Sequence, residues 1–437
     1  MRCDAVICAV VLLLGFAGCN DEPDVDAVTA SLVDALNDEL APLGESPTVW
    51  GDEELKPLSA FGNVKILGLG EATHGTSEFF KAKHRIFQYM VQNHGYKIFA
   101  IEADVGESIL INEAVVAGDK SKITDLMKTK MHFWTWKTNE VRDLIFWMCD
   151  YNNGKPEADK VQYWGVDCQY NTFHPGMVMD RLAEVNVSFL PFAESVMNEA
   201  KSEATKRFAS YSDQQFLAYT VKLNNLIDSV KAYQDYIVSK SSQENYELTL
   251  HLVDVVRQTA EVMYYTPRSS TNYRDKYMAD NAAWVHEYFG NAKVVLWAHN
   301  HHISDNQQAA TMGYHLVDKF HNDYASVGFL FSKGSFRAVT YTNNQAQGLS
   351  LQKLDADPLK GSINAVMAHA ESPVFIVNVT RLQRHDQWKS AFGMGMKYFQ
   401  MGAVYDGFPA DYYSWFDPLF FNDVIFFSNT TEAIAIQ

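Results

Sequence analysis

Four short apolar runs constrain the fold of this chain most strongly. Each is a nearly continuous stretch of aliphatic, β-branched or aromatic residues that ends in polar residues, as strands buried on both faces of a parallel sheet do. The runs are VKILGLG (64–70), KIFAIEAD (97–104), VQYWGVDCQ (161–169) and AKVVLWAHN (292–300). They predict an α/β fold with a mostly parallel central sheet flanked by helices.

Helical periodicity fills the intervals between these runs. Apolar residues recur at helical spacing between the first two runs, and Gly95 is placed to end that helix, so residues 64–104 are expected to form a βαβ unit. Apolar residues also step by three and four over 216–237 and 248–262, on either side of a polar turn. This pattern predicts a helical hairpin inserted at about residues 188–265. Further strands are predicted at YASVGFLFS, FRAVTYT, PVFIVNV and NDVIFFSN.

The N-terminal residues read as an export signal. The apolar run in MRCDAVICAVVLLLGFAGCN is too short to cross a bilayer, and FAGC resembles the lipobox of bacterial lipoproteins. We expect a signal peptide at 1–18, a lipid on Cys19 that attaches the chain to a membrane, a tether and N-terminal helix at 19–60, and the α/β domain at 61–437. The expected location is the cell envelope, on the periplasmic side or at the outer membrane. An ordinary secretory signal is the alternative.

Charge and cysteine content narrow the possibilities further. The chain has 53 acidic and 36 basic residues and a net charge of −17, and such an acidic protein without a basic patch is not expected to bind nucleic acid. Beyond residue 19 only Cys149 and Cys168 remain, and each lies in an apolar stretch. We expect both to be buried free thiols.

Polar residues follow each of the four runs at the point where the strand is expected to end. They are Glu71 and His74, then Glu102 and Asp104, then Asp167, and finally His299, His301 and His302. Catalytic and ligand-binding groups gather beyond the carboxyl ends of parallel strands, so these side chains are expected to meet there if the strands are neighbours. The alternatives are local: Asp104 caps the next helix, and Asp167 bonds loop backbone.

These residue types suggest hydrolysis by an activated water. The chain contains no Gly-x-Ser-x-Gly elbow for a serine nucleophile. Two glutamates and several histidines are suited to deprotonating a water and stabilising the charge on the attacked carbonyl, without a covalent intermediate. The same side chains would also suit zinc or manganese, although HExxH is absent from the sequence.

Several motifs, in order along the chain, resemble the erythromycin esterase family. They are GEATHGTSEFFKAKHR (70–85), IEAD (101–104), YWGVDCQ (163–169), YRDKYMADN (273–281), LWAHNHHI (296–303) and FNDVIFFSNTT (421–431). The resemblance implies a hydrolase that opens macrolide lactones with an activated water and needs no metal or other cofactor. It covers the chain from about residue 60 to the C-terminus.

The resemblance also implies roles for individual residues. His74 would be the general base, Glu71 and Glu102 would orient it or the water, and His299 and His302 would complete the pocket, with His301 at the variable position between them. Arg85, Arg274 and Asp167 are candidates for supporting or substrate-facing roles. Separately from the resemblance, the aromatic residues Trp134 and Trp136 are candidates for lining an apolar pocket for a large ligand. For the two arginines the alternative is a salt bridge between helices, and for the tryptophans, as for Phe133, it is a place in the core.

The substrate is left open at this point. A small-molecule ester or a macrolide fits the resemblance, but the family also includes proteins connected with succinoglycan synthesis. Two other functions remain as alternatives: a metal-dependent hydrolase, possibly a peptidase, that uses the same pocket, and a surface lipoprotein that binds a ligand without turnover.

Overall fold

The computed structural model describes residues 25–201, 207–342 and 345–437. Within these residues, ten strands form one sheet and two short strands pair separately. The strands are β1 (Ala41–Pro42), β2 (Ile66–Leu69), β3 (Ile98–Asp104), β4 (Gln162–Asp167), β5 (Val294–Trp297), β6 (Tyr324–Thr342), β7 (Gln345–Leu354), β8 (Val374–Asn378), β9 (Lys397–Phe399), β10 (Val404–Tyr405), β11 (Tyr413–Trp415) and β12 (Asp423–Thr430). The predicted signal peptide and Cys19 lie outside the described residues.

The helices surround this sheet. They are α1 (Val25–Glu39), α2 (Ser77–His94), α3 (Val105–Ala117), α4 (Ile123–Lys130), α5 (Asn139–Asn152), α6 (His174–Glu184), α7 (Leu190–Ala200), α8 (Asp213–Ala232), α9 (Gln234–Lys240), α10 (Gln243–Tyr265), α11 (Tyr273–Tyr288), α12 (Asn300–Ile303), α13 (Met312–Phe320), α14 (Ile363–Met367), α15 (Val379–Leu382) and α16 (Asp386–Met394). None of the helices in the described ranges is long and apolar enough to cross a membrane.

The sheet order is β1-β8-β12-β6-β2-β5-β3-β4. Pairing is parallel from β12 through β4 and antiparallel for β8, β1 and β7. This confirms the predicted α/β class with a mostly parallel central sheet. The four strands from the opening apolar runs are adjacent, in the order β2-β5-β3-β4, so their carboxyl ends lie at one edge of the sheet.

These four strands are apolar along their whole length because both sheet faces are covered. Every residue of β2, β3, β4 and β5 is buried. Alternate residues enter two separate cores: Ile66 and Val294 pack on one side of the sheet, and Leu67 and Val295 on the other. Helices on both faces provide these cores, as is usual for parallel sheets.

The predicted βαβ unit is present and ends as expected. Helix α2 stops at Gly95, which adopts a left-handed conformation with φ 67° and donates its N–H to the carbonyl of Met90. Thr76 is the N-cap residue of this helix. Glu71 and His74 therefore do not cap α2, and another reason is needed for their position.

The first arm of the predicted helical hairpin is interrupted. Helix α8 ends before Tyr233, whose backbone leaves α geometry. A second helix, α9, begins directly after it and carries Ile237, the last residue of the apolar pattern. The Tyr233 side chain bonds Ser188 (2.5 Å between hydroxyls) and packs on Phe189. The break thus coincides with a tertiary contact that the periodicity of residues 216–237 does not report.

Two segments predicted as separate strands, YASVGFLFS and FRAVTYT, form the single strand β6. Its first part pairs with β2 and β12, and from Gly334 onward it pairs with β7. Gly334 has φ 133°, and a Cβ added there would lie 2.1 Å from the carbonyl oxygen of Thr430. Glycine at this position allows one strand to change partners without ending.

The described part of the N-terminal region packs on the α/β body. Leu32 and Leu36 of α1 are buried, and the indole of Trp388 donates to the carbonyl of Leu32 (3.0 Å). Cys149 and Cys168 are free and buried, which confirms that expectation.

Candidate active site

The predicted strand-end residues come together at the carboxyl ends of β2, β5, β3 and β4. Side-chain contacts join Glu71 to His74, and join Glu102 to His302 and Arg274, which also binds Asp167. His299 lies between the two groups, with its ring centre 5.0 Å from that of His74. We call this set the strand-end cluster: Glu71, His74, Glu102, Asp167, Arg274, His299 and His302.

Glu71 is the fully buried anchor of the first group. One carboxylate oxygen is 2.7 Å from His74 Nδ1, and the other accepts from Lys83 Nζ (2.9 Å) and Trp297 Nε1 (2.7 Å). Lys83 is also fully buried, with its ammonium 4.4 Å from the centre of the Trp297 ring. Neither Lys83 nor Trp297 was identified from the sequence, although both lie within quoted motifs.

The charges of this pair balance each other. Burial alone would raise the pKa of Glu71, but Lys83 and His74 lower it below its usual value. Burial lowers the pKa of Lys83 to about 8, against the opposing effect of Glu71. An ionised Glu71 only accepts hydrogen bonds, so His74 must donate from Nδ1.

The hydrogen bond to Glu71 determines the tautomer of His74. With the proton on Nδ1, the neutral ring carries its lone pair on Nε2. Within the described residues Nε2 has no hydrogen-bond partner, and the side chain is 13% exposed. Trp136, which is buried, lies edge-on to the ring with centroids 6.3 Å apart and donates its indole N–H to the carbonyl of Glu102 (3.0 Å).

Arg274 organises the second group. Its guanidinium donates to both oxygens of Asp167 (3.0 and 2.8 Å) and to Glu102 (2.7 Å). The second oxygen of Glu102 accepts from the backbone N–H of His299 (3.0 Å). Burial would raise the pKa of Glu102, but His302 and Arg274 together lower it far below its usual value. Glu102 is therefore held as a carboxylate.

His302 is paired with a carboxylate that the sequence analysis missed. Its Nδ1 is 2.9 Å from both oxygens of Asp275, while Nε2 is 3.3 Å from Glu102 and 3.1 Å from Arg274 Nη1. Burial lowers the pKa of His302, but Asp275 and Glu102 raise it by more. Asp275 directly follows Arg274 in the quoted YRDKYMADN motif, and helical geometry alone did not indicate that both side chains would reach the site.

His299 differs from His74 in having both ring nitrogens engaged. Its Nδ1 accepts from the backbone N–H of His301 (3.1 Å), and Nε2 lies 3.1 Å from the carbonyl of Met401. Burial lowers the pKa of His299 to about 3. In this arrangement His299 is a neutral ring that fixes backbone, and His301 has its ring 5.5 Å from that of His302.

Three predicted residues are not members of the cluster: Trp136, which contacts His74 and Glu102, and Arg85 and Trp134. The Arg85 guanidinium donates to the carbonyl of Trp50 (2.7 Å) and to Asp52 (2.5 Å), which is the salt-bridge alternative. It is two residues from Lys83 on α2, so the two side chains point to different faces of the helix. Trp134 is half-buried in a short turn beside Trp136.

Asp104 acts as the N-cap of α3. One carboxylate oxygen accepts from the N–H groups of Gly106 (3.0 Å) and Glu107 (3.3 Å). This is the local alternative expected for Asp104, and the adjacent Glu102 is the member of its strand end that joins the cluster.

A cavity of about 910 Å³ lies on the His301 side of the cluster. No member of the cluster lines it, but the ring of His301, which does, is 5.5 Å from that of His302. His301 and Gln400 are among its lining residues, together with aromatic side chains such as Trp415 and Phe420. The buried Oε1 of Gln400 has no hydrogen-bond partner within the described residues. The volume is sufficient for a large organic molecule.

Among the described residues, no three His, Cys, Asp or Glu side chains are grouped as a metal site requires.

The chain is similar to proteins of one known family. A family model described as Erythromycin esterase matches residues 91–427. An Escherichia coli erythromycin esterase type II is 23% identical over 346 residues, which is 72% of this chain and 81% of that protein.

Solved structures share the fold. A Bacillus cereus protein superposes with a TM-score of 0.80 at 21% identity, covering 94% of this chain and 99% of that one. An erythromycin esterase mutant in its open conformation gives a TM-score of 0.68 at 14% identity, covering 90% and 98%. With the family match across most of its length, the chain belongs to the erythromycin esterase family, and this membership supports a hydrolase.

Proposed function

We propose that this protein hydrolyses a carboxylic ester or a macrolide lactone with a water activated by His74, without a covalent intermediate. The observation that carries the proposal is the state of His74: Glu71 holds its Nδ1 at 2.7 Å, and Nε2 is unpartnered within the described residues on a partly exposed side chain. A histidine oriented in this way is a competent base near neutral pH.

The positions of the charged groups support the following steps. His74 Nε2 takes a proton from water, and the resulting hydroxide attacks the carbonyl carbon. Negative charge then develops on the carbonyl oxygen, and Arg274 and His302, which both contact Glu102, are the cationic groups proposed to stabilise it. The bond from the carbonyl carbon to the alcohol oxygen then breaks, and His74 returns the proton to that leaving oxygen.

The neighbouring cavity supports a bulky substrate. At about 910 Å³, with His301 in its wall and aromatic side chains around it, it would hold the part of a large ester that does not react. A macrolide or another large ester of mixed polarity fits this volume better than a short-chain ester does.

The test uses purified protein with erythromycin and a panel of simple esters, followed by mass spectrometry for the gain of one water. His74→Ala should lower turnover by at least ~100-fold, because general base catalysis contributes that much or more. His369→Ala, at an exposed histidine in another part of the chain, is the control and should retain activity. Folded protein that adds water to no substrate, or full activity in His74→Ala, would contradict the proposal.

The two alternative functions give different results in the same assay. A metal-dependent hydrolase, possibly a peptidase, would lose activity after treatment with a strong chelator and dialysis, and would regain it with zinc or manganese. A non-catalytic binding lipoprotein would retain ligand binding in His74→Ala and show no turnover in the parent.

We also propose that the protein is an exported lipoprotein of the cell envelope, anchored through Cys19. The support is the leader ending in FAGC, followed by a polar, acidic segment. Expression with a labelled fatty acid should label the parent and not Cys19→Ser, and the variant should move from the membrane fraction to the soluble fraction. Equal distribution of the two proteins would contradict the anchor.

A further inference from the structure

A second histidine–carboxylate pair lies outside the strand-end cluster, near the carboxyl ends of β3 and the edge strand β4. Glu107 is in the first turn of α3, His132 is in the loop after α4, and Thr172 is in the loop between β4 and α6. None of the three residues takes part in the proposed reaction of His74.

Their polar atoms form a continuous chain. His132 Nδ1 is 2.6 Å from Glu107 Oε2, and His132 Nε2 is 2.7 Å from the hydroxyl of Thr172. Glu107 is fully buried, the His132 side chain is 19% exposed, and Thr172 is exposed. This is the sequence of contacts, from hydroxyl to imidazole to carboxylate, that activates a hydroxyl nucleophile.

The backbone of His132 also contacts this carboxylate. Glu107 Oε2 also accepts the backbone N–H of His132 (2.7 Å), so this oxygen is an acceptor. With Glu107 ionised, His132 donates to Oε2 from Nδ1, which leaves the lone pair on Nε2 to accept the Thr172 hydroxyl. The tautomer is the one in which Nε2 can remove the hydroxyl proton.

The surroundings restrict the ring and leave the hydroxyl accessible. The His132 ring stacks on Tyr170 with centroids 4.1 Å apart and planes 6° apart. Tyr170 is 36% exposed and contacts Phe133, which gives an apolar surface beside Thr172. Lys130 lies on the same side, with its ammonium 6.0 Å from the ring centre of Phe173.

We propose that Thr172 is the nucleophile of a second acyl-transfer site, with His132 as its base and Glu107 as the residue that positions His132. The substrates are activated esters of small carboxylic acids, particularly aryl esters whose ring packs on Tyr170. This activity is separate from that of the strand-end cluster and does not require His74.

The step balances without a co-reactant. The Thr172 oxygen bonds to the ester carbonyl carbon as its proton moves to His132 Nε2. The bond from that carbon to the aryloxide oxygen then breaks, and His132 protonates the leaving group. A water, deprotonated by His132, releases the carboxylic acid from the acyl-threonine and restores the Thr172 hydroxyl.

The experiment is carried out in the His74→Ala protein, so that failure of the strand-end proposal does not affect it. With 4-nitrophenyl acetate we expect release of nitrophenolate and an acetyl group on the peptide that contains Thr172. Thr172→Ser should keep the reaction, Thr172→Val should abolish it, and His132→Gln should slow acylation by at least ~100-fold. Thr129→Val, at an exposed threonine of α4 whose hydroxyl bonds a backbone carbonyl, is the matched control and should react like the parent.

Circular dichroism and thermal unfolding of each variant identify any loss of fold, and Thr172→Val is nearly isosteric. Acetyl groups found on lysines alone, or equal acetylation rates in the parent, Thr172→Val and His132→Gln proteins, would overturn the proposal.

Discussion

Glu71 receives hydrogen bonds from three side chains that belong to different parts of the chain. His74 follows β2, Lys83 is on α2 and Trp297 is the last residue of β5. A buried carboxylate is costly unless its oxygens are bonded and its charge is balanced, and here both conditions are met. The same contacts hold His74 in one tautomer, so the stability of Glu71 and the proposed chemistry depend on the same atoms.

Lys83→Met tests this dependence. The substitution leaves Glu71 buried without its cation, so the free energy of unfolding should fall by roughly 3–5 kcal/mol. The uncompensated carboxylate should also favour the imidazolium form of His74, which moves the acid limb of the pH–rate profile to higher pH.

The matched control is Lys81→Met, at a half-buried lysine on the same helix. It should stay within about 0.5 kcal/mol of the parent and keep the parent pH profile. Chemical denaturation and kcat/KM across pH provide both measurements. An unchanged acid limb in a folded Lys83→Met protein would show that Lys83 does not affect protonation of the proposed base.

Asp275→Asn tests the pairing of His302. The folded-state pKa of His302 is raised by Asp275 and Glu102, despite burial. Stability from this pairing is therefore fully present below the unfolded-state value, about 6.5, and is lost as pH rises through the folded-state pKa. Removing the charge should cost roughly 1.5–3 kcal/mol at about pH 6 and less at about pH 9.

Thermal or chemical unfolding at the two pH values measures this difference. Asp280→Asn is a suitable control, because the carboxylate bonds Lys276 and Lys319 rather than a histidine. A cost for Asp275→Asn that is equal at both pH values would show that the charge of His302 is not involved.

At the scale of elements, β6 is a single strand that changes its pairing partner at one glycine. A strand of 19 residues first joins the parallel sheet and then forms a hairpin with β7. Gly334, at the change of partner, has both a positive φ and a close neighbour in Thr430.

Three glycine substitutions separate these two effects. Gly334→Ala has both the unfavourable φ and a Cβ 2.1 Å from a carbonyl oxygen, and should cost more than the ~1–3 kcal/mol typical of backbone strain alone. Gly348→Ala has φ 105° with open space around it, and should cost an amount within that range. Gly393→Ala lies in α16 with no positive φ and open space, and should be neutral or slightly stabilising.

Chemical denaturation of the three variants gives the order directly. If Gly334→Ala and Gly348→Ala cost the same, the approach to Thr430 does not contribute and only the positive φ matters.

The sequence was informative wherever one periodic pattern determines an element. The apolar runs predicted the four adjacent strands, and Gly95 predicted the end of α2. The continuity of β6 and the interruption at Tyr233 were not predictable in this way, because both depend on contacts with residues distant in sequence.

The same distinction applies to the candidate site. Glu71, His74, Glu102 and His302 lie at or shortly after the carboxyl ends of neighbouring parallel strands, where such residues come together. Lys83 and Asp275 are on helices, where the side chain that reaches the site depends on how the helix is rotated against the sheet. Their motifs were identified, but their positions could only be seen in the structure.

At the scale of the whole molecule, the acidic balance of the chain extends to the cavity beside the cluster. The net charge is −17, and the described lining residues of the cavity include Asp305, Asp318 and Asp417 but no Lys or Arg. The nearby Lys397 has its ammonium 5.3 Å from the centre of the Trp415 ring. A concave surface with one prevailing sign of charge raises the local concentration of oppositely charged ligands.

The protein should therefore prefer a cationic ester to a neutral ester of the same shape. We expect a lower KM for an ester with a quaternary ammonium group than for the analogue with a tert-butyl group, and a similar kcat, because the charge acts on binding rather than on the reacting carbonyl. The preference should decrease as ionic strength rises toward ~1 M, where the Debye length falls to about 3 Å.

Asp305→Asn, in the cavity wall, should reduce the preference at low salt, whereas Asp355→Asn, at an exposed residue outside the lining, should leave it unchanged. Steady-state kinetics of the two esters at low and high salt measures each effect; equal KM values at low salt would mean that the cavity field does not act on the substrate.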